Sequence, residues 1–149
     1  MYKKIILRKG KDQSLKRFHP WVFSGAIARM DSDLEEGEIV KVYTADGEFI
    51  AVGHFQIGSI AVRVLSFEDI EINSAYWATR LQNALEARKS AGVVREDNNM
   101  YRLVHGEGDG LPGLIIDFYD GVCVLQAHSV GMHIHRKEIA EALKALPKV

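Results

Sequence analysis

The chain has 149 residues, 47% of them hydrophobic and 26% charged, which is an ordinary globular composition for one domain or two small ones. A formal net charge of −1 excludes a global attraction to nucleic acid, and the single cysteine, Cys123, excludes an internal disulfide. The lone thiol suits a reducing cytosol, so we expect a cytoplasmic protein. The apolar run near the N-terminus is too short for a signal peptide, and no stretch approaches a membrane span.

Charge is distributed unevenly along the chain. Residues 1–30 carry eight basic side chains against a single acid, Asp12, whereas residues 31–38 carry five acids and no base. A basic end on a nearly neutral chain predicts a local contact surface for an anionic partner. The eight basic residues are Lys3, Lys4, Arg8, Lys9, Lys11, Lys16, Arg17 and Arg29.

Residues 1–70 are predicted to form a small antiparallel β domain, a closed or half-closed barrel. The segment KKIILRKG predicts a short strand, and Pro20 breaks any helix that arrives from residues 12–18. Two β-rich runs flank Asp46-Gly47, a pair typical of type I′ hairpin turns. A third run, SIAVRVLSF, follows Gly58.

Residues 71–149 are predicted to form an α+β domain in the order helix, three strands, helix. Apolar positions spaced by three and four predict a helix over residues 74–91, capped by Asn73 or Ser74 and ended by Gly92. YRLVH, LIIDF and VCVLQA predict strands, with Asp120-Gly121 as a tight turn between the last two. The last helix is marked by Met132, Ile139, Leu143 and Leu146 and ends before Pro147.

The stretch HGEGDGLPG contains a G-x-G-x-x-G pattern at residues 108–113. A dinucleotide phosphate loop needs a helix N-terminus directly after the glycines, and LIIDF predicts a strand there instead. Glu107 and Asp109 would also repel a pyrophosphate. We therefore expect a glycine-rich hairpin loop with positive φ angles, and we expect residues 106–113 to be mobile.

The segment RFHPWVFSG interleaves cations with aromatic rings, a combination typical of proteins that bind single-stranded or structured RNA. The alternative for Trp21 and Phe23 is that they fill the bottom of the barrel. The predicted RNA-binding residues are Arg8, Lys9, Lys11, Lys16, Arg17, His19 and Trp21.

No catalytic or metal site is predicted. His133 and His135, two residues apart on a helix, point to different faces, and no ligand set has metal-site spacing. Cys123 lies in the apolar run VCVLQ and is expected to be a buried, inert thiol. Asp109 and Asp117 could act as acid or base, but the sequence pairs neither with a partner.

Three stretches in order, HPWVFSGAI at 19–27, VRVLSF at 62–67 and YRLVHGEGDGLPGLIIDFYDGVCVLQ at 101–126, resemble one family. It is the S-adenosylmethionine-dependent methyltransferases that make 5-methylcytosine in bacterial 23S ribosomal RNA. The resemblance implies a PUA-type RNA-binding barrel at 1–70 and an α+β middle domain at 71–149. It also implies a C-terminal methyltransferase domain that holds the cofactor and the catalytic cysteine, and we expect that domain to be absent from residues 1–149.

The resemblance thus implies the RNA-recognition region of such an enzyme, not catalytic by itself, with ribosomal RNA as partner and no cofactor bound to this chain. It also implies possible self-association through surface that the catalytic domain would cover. Two alternatives stay open: a free-standing PUA-type RNA-binding adaptor, and a small enzyme that uses Asp109 or Asp117. The resemblance places a loop beside the active-site cleft, with the residues Glu107, Asp109, Leu111, Pro112 and Asp117.

Overall fold

The computed structural model describes residues 1–146, and the chain divides into two compact units, Met1–Ile70 and Glu71–Val149. Unit 1 is a curled β-sheet with one short helix, and unit 2 combines a three-stranded sheet with helices. The predicted α+β class is therefore confirmed. Within residues 1–146 no helix has both the length and the apolar character that crossing a membrane requires.

Unit 1 contains six strands and one short α-helix: β1 Lys3–Leu7, α1 Gln13–Lys16, β2 Trp21–Phe23, β3 Ile27–Met30, β4 Ile39–Tyr43, β5 Phe49–Phe55 and β6 Ile60–Ser66. The six strands form one sheet that curls into a half-barrel, in the order β2-β6-β5-β4-β1-β3. β1 pairs with β4 in parallel, whereas the other pairs are antiparallel. The expectation of a purely antiparallel sheet is wrong at that pair, because a parallel pair needs a crossover, and residues 8–38 supply one.

The core of unit 1 follows from the period of two along its strands. Ile5 and Leu7 of β1 and Val40 and Val42 of β4 are fully buried. Each such side chain stabilises the fold by roughly 1.5–3 kcal/mol through removal of apolar surface from water. Leu15 joins the same core and thereby holds α1 against the sheet.

The turn between β4 and β5 differs from the prediction. A type I′ turn needs positive φ at both central residues, but Gly47 has φ +87° and Asp46 is not among the residues with positive φ. Gly47 N donates to Thr44 O, and Thr44 N donates to Glu48 O. The connection is therefore a longer hairpin loop in which only the glycine adopts the left-handed conformation.

Unit 2 contains three helices and three strands: α2 Ser74–Ser90, β7 Met100–His105, β8 Leu114–Tyr119, β9 Val122–Ala127, α3 Val130–Ile134 and α4 Arg136–Lys144. The strands pair antiparallel in the order β7-β8-β9. The Asn73 side chain accepts a hydrogen bond from Tyr76 N at the start of α2, as an N-cap should. At the tight turn between β8 and β9, Asp120 and Gly121 have φ of +45° and +85°.

The helical segment after β9 is divided. α3 ends at Ile134 and α4 begins at Arg136, so the single helix predicted from the apolar spacing is wrong. Ser129 caps α3 through a bond from Met132 N, and the His135 ring contacts Gly131 O at 2.9 Å. Met132 and Ile139 are fully buried, which is what the apolar spacing detected. Pro147 lies outside the described residues.

Candidate nucleic-acid interface

Three aromatic rings gather at the edge strand β2 of unit 1. The ring centroids of His19 and Trp21 are 5.8 Å apart, those of Trp21 and Phe23 are 6.2 Å apart, and those of His19 and Phe23 are 6.0 Å apart. Trp21 N donates to His19 Nδ1 at 3.1 Å, which fixes the imidazole against the strand. We call these three residues the aromatic cluster.

The aromatic cluster lies on the outer face of β2. Because successive side chains of a strand alternate, Val22 points into the core and is buried, while Trp21 and Phe23 share the opposite face. Phe23 is 47% exposed and Trp21 is half-buried. The interpretation that both rings fill the bottom of the barrel is therefore wrong. Phe23 was missing from the predicted set, although its i, i+2 spacing from Trp21 is the signal that would have included it.

The predicted basic residues lie on the connection from β1 to β2. Arg8 N donates to Ala26 O, which ties this connection to the residue directly before β3, and Lys11 N donates to Arg8 O around Gly10 at φ +79°. We define the basic segment as residues 8–17.

Four cations of the basic segment have no carboxylate partner in the described part of the chain. Arg8, Lys9, Lys11 and Arg17 are exposed, and within residues 1–146 none of them has a carboxylate at ion-pair distance. Lys16 differs, because its Nζ lies 3.0 Å from Asp12 Oδ2. The hydrogen bond with Asp12 raises the pKa of Lys16, and the same bond lowers the pKa of Asp12. Lys16 is thus partly neutralised, whereas the other four cations are available to an anion.

Phe18 joins the basic segment to the aromatic cluster in a strained conformation. Its φ is +64°, which side chains other than glycine rarely adopt, and its backbone N donates to Leu15 O. The ring stacks edge-on against Phe67 with centroids 5.2 Å apart. The buried Leu15 and this contact hold the chain in its turn from α1 into β2.

In unit 2, the glycine-rich loop forms a 3-10 turn over Gly106–Asp109, followed by Gly110 at φ +70°. Leu111 N donates to Gly106 O, and Gly110 N donates to Glu107 O. The backbone of the loop is therefore bonded internally, and the mobility of residues 106–113 stays a prediction. β8 follows directly, so no helix N-terminus supplies N–H donors for a phosphate here.

Close packing explains two of the glycines in the loop. A Cβ at Gly110 would collide with the Arg80 guanidinium, and a Cβ at Gly113 would collide with the Ser129 side chain. Leu111 is fully buried and Pro112 is also buried. The expectation that Leu111 and Pro112 line a cleft is therefore not met, because both side chains pack inside unit 2.

Asp109 has a partner that the sequence did not reveal. Arg88 of α2 donates to both of its carboxylate oxygens, at 2.7 and 2.8 Å, and the two side chains are 19% and 8% exposed. Arg88 Nε also donates to Arg102 O at 3.0 Å, and His105 N donates to Asp109 Oδ2 at 2.6 Å. The pair thereby satisfies two backbone groups on the open edge of β7 and closes that edge against other strands.

Asp117 also has an arginine partner. Arg102 Nε donates to Asp117 Oδ1 at 2.8 Å across the β7–β8 pair, and the bond raises the pKa of Arg102. Asp117 is buried on the face of the sheet that also carries Arg102. Both acids thus hold arginines of their own unit, and only Glu107 among the acids of the predicted cleft set has an exposed side chain.

An open groove of about 460 Å³ in unit 2 runs beside the end of α2. Neither Asp109 nor Asp117 lines it, so it gives no support to a small enzyme that uses those acids. Its lining consists of Ala87, Arg88, Ala91, Val93, Tyr101, Arg102 and His105. Within the described part of the chain, no three His, Cys, Asp or Glu side chains come together as a metal site would require.

Cys123 is exposed on β9, so the expectation of a buried thiol is wrong. The edge position of β9 leaves one side of the strand open, and an apolar sequence alone did not reveal this. Partial burial of the sulfur nevertheless raises the pKa of the Cys123 thiol.

The raised pKa predicts slow alkylation of Cys123. At any mildly alkaline pH the thiolate fraction is smaller than in an unfolded chain, so iodoacetamide should react more slowly with the native protein than with the denatured one. The native rate should also rise at higher pH than the denatured rate. Mass spectrometry of dilute samples over a pH series measures both rates. Identical pH profiles would contradict this account of the thiol.

The comparison with known proteins identifies the class of unit 1 first, as a PUA-like domain. Residues 5–67 match the sequence model of the PUA-like domain family, which covers β1 to β6. A solved structure from Streptococcus mutans, assigned as a SAM-dependent methyltransferase, matches with a TM-score of 0.81 at 20% identity. The match covers 97% of this chain and 37% of that one. A second, assigned as a methyltransferase and complexed with SAH, has a TM-score of 0.80. At this identity the likeness concerns the fold alone.

Curated relatives are similar to nearly the whole of this chain. The chain is 40% identical over 140 residues to ribosomal RNA large subunit methyltransferase I of Vibrio parahaemolyticus, covering 93% of this chain and 35% of the relative. It is 39% identical over 146 residues to the protein of that name from Escherichia coli, covering 96% and 36%. The chain is thus similar in sequence to ribosomal RNA large subunit methyltransferase I proteins, and it spans about a third of the length of these relatives.

Proposed function

We propose that this chain is the RNA-recognition region of a SAM-dependent methyltransferase acting on cytosine C5 of large-subunit ribosomal RNA, and that it is not catalytic by itself. One observation carries the RNA-binding role: a PUA-like domain bears exposed cations without ion-pair partners within residues 1–146, next to an aromatic cluster in which Phe23 is exposed and His19 and Trp21 are half-buried. The cations of the basic segment would contact phosphates, and the aromatic cluster would stack on bases. The names of the curated relatives support ribosomal RNA as the partner.

The number of cations without an ion-pair partner sets the expected salt dependence of RNA binding. Lys9, Lys11 and Arg17 are exposed and unpaired, whereas Lys16 is engaged by Asp12. If about three phosphates are neutralised, the logarithm of the binding constant should fall with the logarithm of salt concentration with a slope of roughly −2 to −3. Because the net charge of the whole chain is −1, the attraction to RNA phosphates would come from the basic segment of unit 1 and not from the chain as a whole.

Unit 2 would serve as the middle domain, and methyl transfer would belong to a further domain of the longer enzyme. S-adenosylmethionine would be held in that domain, because the glycine-rich loop of this chain does not fit a cofactor. Side chains of Arg80 and Ser129 occupy the space beside Gly110 and Gly113. We propose that the exposed side of the loop, with Glu107, borders the catalytic cleft, while Asp109 acts as a positioning residue through Arg88.

Replacing Phe23 with alanine tests the stacking role. Loss of one stacked base should cost about 1–3 kcal/mol of binding free energy and leave the salt slope unchanged, because no charge is removed. The measurement is filter binding of a 23S ribosomal RNA fragment at several salt concentrations. Met30→Ala is the matched control, because Met30 is also 47% exposed but lies on β3, at the other end of the sheet. Equal affinities of the two variants would remove Phe23 from the interface.

A further inference from the structure

Arg63 of β6 is a cation that the strand pairing of unit 1 places beside the aromatic cluster. It lies directly opposite Trp21 in the β2–β6 register, and directly opposed residues share one face of a sheet, with Cβ atoms about 4.5–5.5 Å apart. The residues on either side of it, Val62 and Val64, are buried in the core. Arg63 therefore points to the outer face, which is the face that carries Trp21 and Phe23.

The Arg63 side chain runs along β6 toward Phe23. Its Nη1 donates to Ile60 O at 3.4 Å, and Ile60 is the residue opposite Phe23 in the β2–β6 register. The aliphatic stem thus starts opposite Trp21, and the guanidinium is held at the level of Phe23. Arg63 is half-buried, and within residues 1–146 no carboxylate lies at ion-pair distance from it. The bond to the carbonyl engages one nitrogen, so the remaining N–H groups of the planar fork can donate to a ligand.

The β2–β6 pairing holds the rings and the guanidinium in a fixed relation. Val64 N donates to Pro20 O at 2.7 Å before β2 begins, and Ser24 N donates to Ser59 O at 2.8 Å after it ends. A recognition group on a paired strand is positioned more precisely than one on a loop. Arg63 differs in this respect from the exposed cations of the basic segment, whose long free side chains suit phosphate contacts.

We propose that Arg63 is a specificity-determining residue of the RNA interface, and that its guanidinium binds the edge of a base stacked on the aromatic cluster. This inference rests on the proposed function and deepens it. Side chains stand roughly perpendicular to a sheet, so a base stacked on Trp21 or Phe23 directs one edge toward the strand beneath. Because the guanidinium lies along that strand, it meets the base edge, whereas the ribose and phosphate stay on the solvent side.

The planar fork of Arg63 favours bases that present two adjacent acceptors. Guanine offers N7 and O6 side by side, and cytosine offers N3 and O2 on its Watson–Crick edge. Adenine places an amino donor beside N7, and in uracil an N–H separates the two carbonyls. Duplex stacking would keep the base faces from the rings, so the ligand is single-stranded RNA that contains guanine or cytosine.

Fluorescence anisotropy with short single-stranded oligoribonucleotides measures this preference. Uridine strands with guanosine at every third position are compared with uridine strands that carry adenosine there, so that purine stacks are matched. Cytidine strands are compared with uridine strands in the same way. The wild type should prefer guanosine, cytidine or both by at least about fivefold, and the comparison that shows the preference identifies the base. A wild type without preference in either comparison would overturn the proposal.

Arg63→Lys is the decisive variant, because lysine keeps the positive charge but loses the planar fork. It should abolish the base preference and leave the salt slope near the wild-type value. Arg29→Lys is the matched control, since Arg29 is exposed on β3 at the other end of the sheet, and it should keep the preference. A ratio of two affinities measured on one protein does not change when part of the sample is unfolded. A preference that persists in Arg63→Lys would contradict base recognition by Arg63.

Failure of this inference is distinguishable from failure of the proposed function. If the wild type binds all strands equally and Phe23→Ala weakens that binding, the RNA interface stands and Arg63 has no role in base selection. If neither the oligoribonucleotides nor a 23S ribosomal RNA fragment binds, the proposed function is wrong and the role of Arg63 fails with it.

Discussion

Replacing Asp109 with alanine is expected to lower the free energy of unfolding of unit 2 by about 3 kcal/mol, because breaking a largely buried ion pair leaves its partner charge uncompensated. Arg88 would lose two hydrogen bonds, and His105 N would lose its acceptor on the β7 edge. Urea unfolding measures the effect. In a Trp21→Phe background, the fully buried Trp77 of α2 is the remaining tryptophan and reports on unit 2.

Asp97→Ala is the matched control for this experiment. Asp97 also bonds an arginine, Arg95, at 2.8 Å, but both side chains are exposed, so its loss should cost under about 1 kcal/mol. Asp109→Asn should fall between the two, since an amide keeps one acceptor for Arg88 or His105. If Asp109→Ala unfolds at the wild-type urea concentration, Asp109 does not stabilise the edge, and a direct role at the cleft becomes the better explanation.

Reversing Lys11 and Arg17 to glutamate is expected to weaken binding to a 23S ribosomal RNA fragment by well over tenfold. The double variant removes two phosphate contacts and adds two repulsive charges, so the salt slope should also shrink by about 1.8. Structural damage is not expected, because both side chains are exposed and form no ion pair within residues 1–146. Filter binding over a salt series gives affinity and slope together.

Charge reversal at Lys137 and Lys144 in α4 of unit 2 is the control. It changes the net charge equally but lies outside the PUA-like domain, so affinity and slope should stay near the wild-type values. Lys16→Glu should weaken binding less than Lys11→Glu, since Asp12 already engages Lys16. If the control and the Lys11, Arg17 variant lose affinity equally, binding responds to net charge and the basic segment is not the interface.

Local patterns in the sequence predicted much of the fold. The spacing of Trp77, Leu81 and Leu85 predicted α2, because one helical face is buried, and Asn73 marked its start. The parallel pairing of β1 with β4 could not be predicted, because it depends on where a crossover of about thirty residues returns. The division of the last helix at His135 was also missed, because Met132 and Ile139 keep helical spacing across the break.

The candidate site was predicted in part. The mixture of cations and rings in residues 8–23 was visible in the sequence, but the pairing of Lys16 with Asp12 needed the helical turn of α1. The roles of the acids were not predictable, since Arg88 and Asp109 are 21 residues apart and meet only when α2 packs beside β7. The exposure of Cys123 required the strand order, because an apolar run looks the same at an edge and in a sheet centre.

Ultraviolet cross-linking of the chain to a 23S ribosomal RNA fragment, with the cross-linked residues identified by mass spectrometry, tests the proposed RNA interface most directly. Stacked aromatic rings lie against bases, so the account predicts adducts at His19, Trp21 and Phe23 that high salt weakens without relocating. Charge reversal at Lys11 and Arg17 should reduce the yield of adducts at the same three aromatic residues. Adducts confined to unit 2, with the aromatic cluster unmodified, would contradict an interface on the PUA-like domain.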